Sequence, residues 1–167
     1  MSSRETNRLD RRSLILLPLA LAACGFTPAF GPGGPAEGLM GRVRVDDPST
    51  KDAFDLVERL EERLGRPQAA AYDLGYSITT QPVGVGITPE SAITRYNLTG
   101  AVEWKLTDRA TAAVLASGRV ESFTSWAATG STVAGLAAEE DAHRRLMHLL
   151  ADQIVQRLIA ASAGFAR

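Results

Sequence analysis

The chain has 167 residues, of which 45% are hydrophobic, 22% charged and 6% aromatic, with fifteen glycines, eight prolines and one cysteine. Such a length supports one packed domain burying roughly two-thirds of its unfolded surface, and the composition excludes disordered, collagen-like and disulfide-stapled classes. A formal net charge of -1 argues against nucleic acid as a partner, and a single cysteine excludes an intrachain disulfide and a multi-cysteine metal site.

Residues 1–12 carry Arg4, Arg8, Arg11 and Arg12 against Glu5 and Asp10, and an apolar run follows from Leu14 to Ala23. Ten helical residues reach about 15 Å, half of a bilayer's hydrocarbon core, so this run is too short to be a stable anchor. A basic start, a short apolar stretch and small residues before a cut are the pattern of a removable export signal, here residues 1–23. Pro18 within the run argues against a buried N-terminal helix. The junction Leu21-Ala22-Ala23-Cys24 resembles the bacterial lipobox, which implies cleavage before Cys24 and attachment of a diacylglycerol to its sulfur. Arg11-Arg12-Ser13-Leu14-Ile15 also resembles a twin-arginine signal, so Sec and twin-arginine export both stay open. Two or three acyl chains would hold the protein at a membrane without a spanning helix. Gly25 after the cysteine favours, by the lipoprotein sorting rule, the outer membrane. Removing the leader's four arginines and two acids leaves 14 basic and 17 acidic side chains, a net of -3.

Residues 24–38 are rich in glycine and proline and read as an extended tether, with the folded domain at 39–167. Leu39, Gly41, Val43 and Val45 alternate with Met40, Arg42 and Arg44, the period of a half-buried strand. Ser49 or Thr50 can cap a helix whose apolar face is Ala53, Phe54, Val57, Leu60 and Leu64, and Gly65 and Pro67 stop it. Tyr72, Leu74, Tyr76 and Ile78 predict a second strand over 69–81, and Pro82 to Glu90 reads as a loop. Tyr96, Leu98, Gly100, Val102, Trp104 and Leu106 face one way along a third strand, with Arg95, Asn97, Thr99, Glu103 and Lys105 facing the other. Asp108 to Thr111 forms a hairpin turn into a fourth strand from Ala113 to Trp126, where a drift of apolar parity between Val120 and Phe123 suggests a bulge. A last helix from Val133 to Ala161 buries Ala142, Leu146, Leu150, Ile154 and Leu158, with Leu149 widening the stripe. The fold class is α+β: a β-α-β-β-β-α sandwich with one four-stranded mixed sheet and two helices on one face.

Catalytic signals are sparse. His143 and His148 lie five apart, about 140° around a helix, so they do not converge as ligands. There is no Gly-x-Ser-x-Gly elbow, and an acylated Cys24 is no nucleophile. Glu61-Glu62 and Glu139-Glu140-Asp141 are adjacent on helices and point apart, as solvated faces do. Gly84-x-Gly86 opens no helix and is a weak dinucleotide cue. No catalytic residue, metal or cofactor is expected. The basic residues Arg95, Lys105 and Arg119, with Arg109 at the hairpin tip, are candidate contacts for anionic phosphates; an ordinary solvated sheet face is the other reading. Trp104 and Trp126 read as core or interface anchors.

The lipobox with Cys24-Gly25-Phe26, the Gly/Pro tether and the β-α-β-β-β-α order accompany three internal stretches. They are Thr94-Arg95-Tyr96-Asn97-Leu98-Thr99-Gly100, Trp104-Lys105-Leu106, and Ala138-Glu139-Glu140-Asp141-Ala142-His143-Arg144-Arg145. Together they resemble the LPS-assembly lipoprotein family (LptE/RlpB-like) over nearly the full length. The resemblance implies a non-enzymatic, acylated (palmitate-bearing) outer-membrane lipoprotein. Its family's members help assemble, and sit as a plug inside, the LptD β-barrel that delivers lipopolysaccharide to the outer leaflet. Implied partners are thus the barrel, lipopolysaccharide and the membrane through Cys24. An alternative is an auxiliary lipoprotein of an ABC-type lipid transporter or a periplasmic ligand-binding module, which a deep apolar pocket between sheet and helices would favour. A hydrolase would need a nucleophile–base pair, and the sequence offers none.

Overall fold

The computed structural model describes residues 36–89, 92–128 and 131–165, together with Gly31 and Gly34. The expected leader, the lipobox and Cys24 lie outside the described residues. Six elements run in chain order: β1 (Val43–Val45), α1 (Lys51–Leu64), β2 (Tyr72–Ile87), β3 (Ile93–Asp108), β4 (Val114–Ala127) and α2 (Thr132–Ser162). The sheet has the order β1-β2-β3-β4; β1 lies parallel to β2, and the other pairs are antiparallel. Both helices cover one face, so the β-α-β-β-β-α sandwich with a mixed sheet is the fold observed.

The first strand is shorter than its alternation predicts. Residues 36–42 form turns, with the Leu39 and Met40 N–H groups donating to the Ala36 carbonyl. Gly41 sits at φ +65°, which ends any extended run, and its N–H donates to the Leu64 carbonyl at 2.7 Å. Ala36 and Leu39 are nonetheless fully buried. Helix α1 begins as expected: the Thr50 hydroxyl accepts from the Ala53 N–H, and Gly65 closes the helix at φ +77°. Phe54, expected on its apolar face, is 59% exposed, while Ala53, Leu56, Val57, Leu60 and Leu64 are buried.

The expected loop after Gln81 is strand instead, since β2 continues to Ile87. A proline is tolerated there because β1 pairs only with residues 72–74, so Pro82 lies on an open edge and its missing N–H breaks no ladder bond. Register shifts fall at Gly84 and Gly86. On β4 no bulge occurs between Val120 and Phe123; the shift lies at Leu106/Thr107, opposite Ala116 and Val114. Val120, Thr124 and Trp126 keep one inward parity, and Phe123 is an outward apolar side chain at 65% exposure. That misplaced hydrophobe is what imitated a drift.

In α2 the predicted stripe of Ala142, Leu146, Leu150, Ile154 and Leu158 is fully buried. Met147, Ala151 and Val155 widen it, and Leu149, on the opposite flank, is 46% exposed. The stripe joins Leu74, Leu98, Val102, Trp104 and Leu106 of the sheet in one buried core. Polar links to both layers help fix α2. The Thr124 hydroxyl donates to the Ala142 carbonyl at 2.9 Å, and Arg59 holds Asp152 through paired bonds of 3.1 and 3.0 Å.

Candidate functional surface

With the helices on one side, the opposite face of β2, β3 and β4 is open. Alternation brings the outward residues into rows: Gln81, Thr99 and Phe123 in one, Thr79, Ala101 and Glu121 in the next, then Ser77, Glu103 and Arg119, and Gly75, Lys105 and Ser117. Thr79, Gln81, Thr99, Arg119, Glu121 and Phe123 line a shallow hollow on this face.

The four candidate cations do not form one cluster. Arg119 is clasped by two carboxylates, its Nε donating to Glu121 at 2.6 Å and its Nη1 to Glu103 at 3.3 Å. Glu121 first, and Glu103 after it, raise the pKa of this guanidinium above its ordinary value. Lys105 lies diagonally from Arg119, roughly 7–8 Å away by sheet geometry, and forms no ion pair among the described residues. Arg109, in the β3–β4 turn, pairs with Asp73 of β2 at 3.3 Å. Arg95 is exposed and also unpaired among the described residues; it stands ten residues along β3 from Lys105, about 33 Å. The available positive charge is therefore at Lys105 and Arg95, at opposite ends of the face.

Sequence reasoning missed Phe123 as part of this surface. The signal was its shared odd parity with Arg119 and Glu121. Trp104 and Trp126 are buried as expected, and Trp126 stacks on Tyr96 with ring centroids 5.0 Å apart. His143 joins the helices, its Nδ1 lying 2.9 Å from an Asp52 oxygen, while His148 stands apart and half-buried. Among the described residues no group of three or more His, Cys, Asp or Glu side chains could hold a metal ion. No helix of the described residues is long and apolar enough to cross a membrane. The interface between helices and sheet is filled, with twelve large side chains from Leu39 to Leu158 essentially without exposure.

The model of the lipopolysaccharide-assembly family LptE matches residues 40–158. The chain belongs to the LptE family. No curated relative matches it. Among solved structures, one from Caulobacter crescentus CB15 described as a lipoprotein shares 26% identity and superposes with a TM-score of 0.68, covering 80% of this chain and 99% of that one. Rare lipoprotein B from Shewanella oneidensis (15% identity, TM-score 0.57, 75% and 98% coverage) has the same fold. So has a minor lipoprotein from Acinetobacter baumannii (19%, 0.57, 72% and 91%). Membership in LptE places the protein in lipopolysaccharide assembly, a non-catalytic role.

Proposed function

We propose that this LptE-family protein is an outer-membrane lipoprotein, cleaved after residue 23 and acylated at Cys24, that assists assembly of an LptD-type β-barrel and plugs its lumen during lipopolysaccharide delivery. Family membership over residues 40–158 carries the reading. The filled core and the polar open sheet face support it, because a barrel lumen is polar and a plug needs a solid body rather than a cavity. A ligand-binding module would need an internal pocket where these leucines pack. Acylation would keep the domain beside the barrel and raise its effective concentration there. In this reading Lys105 and Arg95 are the cations free to meet phosphates on lipopolysaccharide, with Arg109 and Arg119 already engaged by carboxylates.

The test is affinity purification of the tagged full-length chain from detergent-solubilised envelopes, with mass spectrometry of both partners. The expected result is a barrel of the LptD type and an acylated N-terminal Cys24, lost together with membrane retention in Cys24→Ser. Recovery without a barrel, or with an intact leader and an unmodified thiol, overturns the proposal.

A further inference from the structure

The sheet has two outer edges, β4 and the length of β2 that β1 does not reach. On β4 the odd-numbered backbone groups face away from β3, and α2 reaches over to bind two of their carbonyls. Arg145 Nη2 donates to the Ser125 carbonyl and Gln153 Nε2 to the Glu121 carbonyl, each at 3.2 Å. On β2 the even-numbered groups face outward, as the Asp46 N–H donating to the Leu74 carbonyl at 3.0 Å establishes. There β1 covers residues 72–74 and no more. Beyond it, the backbone N–H and C=O groups of Tyr76, Ile78 and Thr80 and the carbonyl of Pro82 face no partner among the described residues.

An open edge is a template for pairing, and proteins blunt one with charged side chains, prolines or bulges. From Leu74 to Gln81 this edge carries none of these; its proline and register shifts fall at Pro82, Gly84 and Gly86. The absent N–H of Pro82 falls on the open side and marks where pairing ends. At the other limit stand Asp46 and Asp47, exposed and without an ion pair among the described residues. They are close enough to Tyr76 that, after burial, their charge helps push its phenol pKa up.

We propose that this gap receives an extended segment of the barrel partner, lying end to end with β1 as a further strand of the sheet. The segment is neutral beside Tyr76 to Pro82 and cationic at the end meeting Asp46 and Asp47. The inference rests on the barrel reading above. A second copy of the chain fits less well, because the one charged residue of β2 is Asp73, which offers those carboxylates no cation.

Amide exchange of the full chain, alone and in the purified barrel complex, tests this. The N–H groups of Tyr76, Ile78 and Thr80 exchange freely in the isolated chain and about tenfold or more slowly in the complex. Thr80→Pro removes one outward N–H and no internal ladder bond, as Pro82 does two residues on. It lowers barrel recovery about tenfold with circular dichroism and Tm little changed. Asp46→Asn with Asp47→Asn lowers it several-fold. If the wild type recovers the barrel while these amides stay fast, or Thr80→Pro recovers as much, the inference falls and the barrel reading stands. If the wild type recovers no barrel, both fall. Amides already slow in the isolated chain assign the edge to a second copy when slowing depends on concentration, and to the chain's own remaining residues when it does not; either overturns the proposal.

Discussion

Gly100 lies directly beneath Leu146, so closely that a Cβ on the glycine would stand 2.7 Å from Leu146 Cδ2. The same atom would be 3.2 Å from Leu146 Cγ and 3.3 Å from Leu150 Cδ1. Helix α2 therefore rests on bare backbone at the middle of β3, and this close approach seals the core. Gly100→Ala forces the fully buried Leu146 to shift and crowds Leu150, at a cost of about 1–3 kcal/mol for overpacking. The expected observation is a lower urea midpoint with an unchanged slope; a midpoint equal to that of the wild type contradicts the packing described.

The two helices are clasped at Asp152, which accepts from Arg59 Nε and Nη2 and from Arg63 Nη1, the last at 2.7 Å. Both sides of the clasp are about seven-tenths buried, so the charge-assisted bonds are only partly screened. Asp152→Ala leaves two guanidinium groups without that carboxylate and should cost about 1–2 kcal/mol. Arg59→Ala combined with Asp152→Ala should cost less than the sum of the single changes, and a strictly additive cycle would exclude coupling.

Asp108 controls the β3–β4 turn. Its carboxylate accepts from the Thr111 N–H, the Thr111 hydroxyl and the Ala110 N–H, at 2.9 to 3.0 Å. The Thr111 backbone bond first, and the Thr111 hydroxyl after it, hold its pKa below the ordinary 3.8; burial opposes them and the Ala110 N–H adds to them. A depressed folded-state value means the stabilisation is fully present above the unfolded pKa and is lost as pH falls through the folded one. Unfolding of Asp108→Asn should thus differ from wild type at pH 7, with the difference shrinking as acid protonates the wild-type carboxylate below about pH 4. A gap that widens in acid would refute this account.

The sheet cations separate into engaged and free groups. Lys105→Glu and Arg95→Glu should each weaken retention on immobilised lipopolysaccharide several-fold, with a steep dependence on salt. Arg119→Gln should matter less, because Glu103 and Glu121 already neutralise that guanidinium. Retention unchanged in both glutamate variants removes this face from lipopolysaccharide contact.

Where a local pattern carries its own physical cause, it was legible in the sequence. The 3.6-residue stripe of α2, the Thr50 cap, the Gly65 stop and the alternation of β3 depend on neighbours along the chain, and each is present as read. Other features depended on residues far away in sequence. Pro82 looked like a strand breaker until the sheet order put it on an open edge. Gly41 cut β1 short although its neighbours alternate, and Phe54, Leu149 and Phe123 point outward although they are apolar. Hydrophobicity along a chain says which side chains gain from burial, but the area available to bury them is set by how elements pack. In the same way, composition gave four cations of equal standing, and tertiary contact alone neutralised Arg109 and Arg119 while leaving Lys105 and Arg95 free.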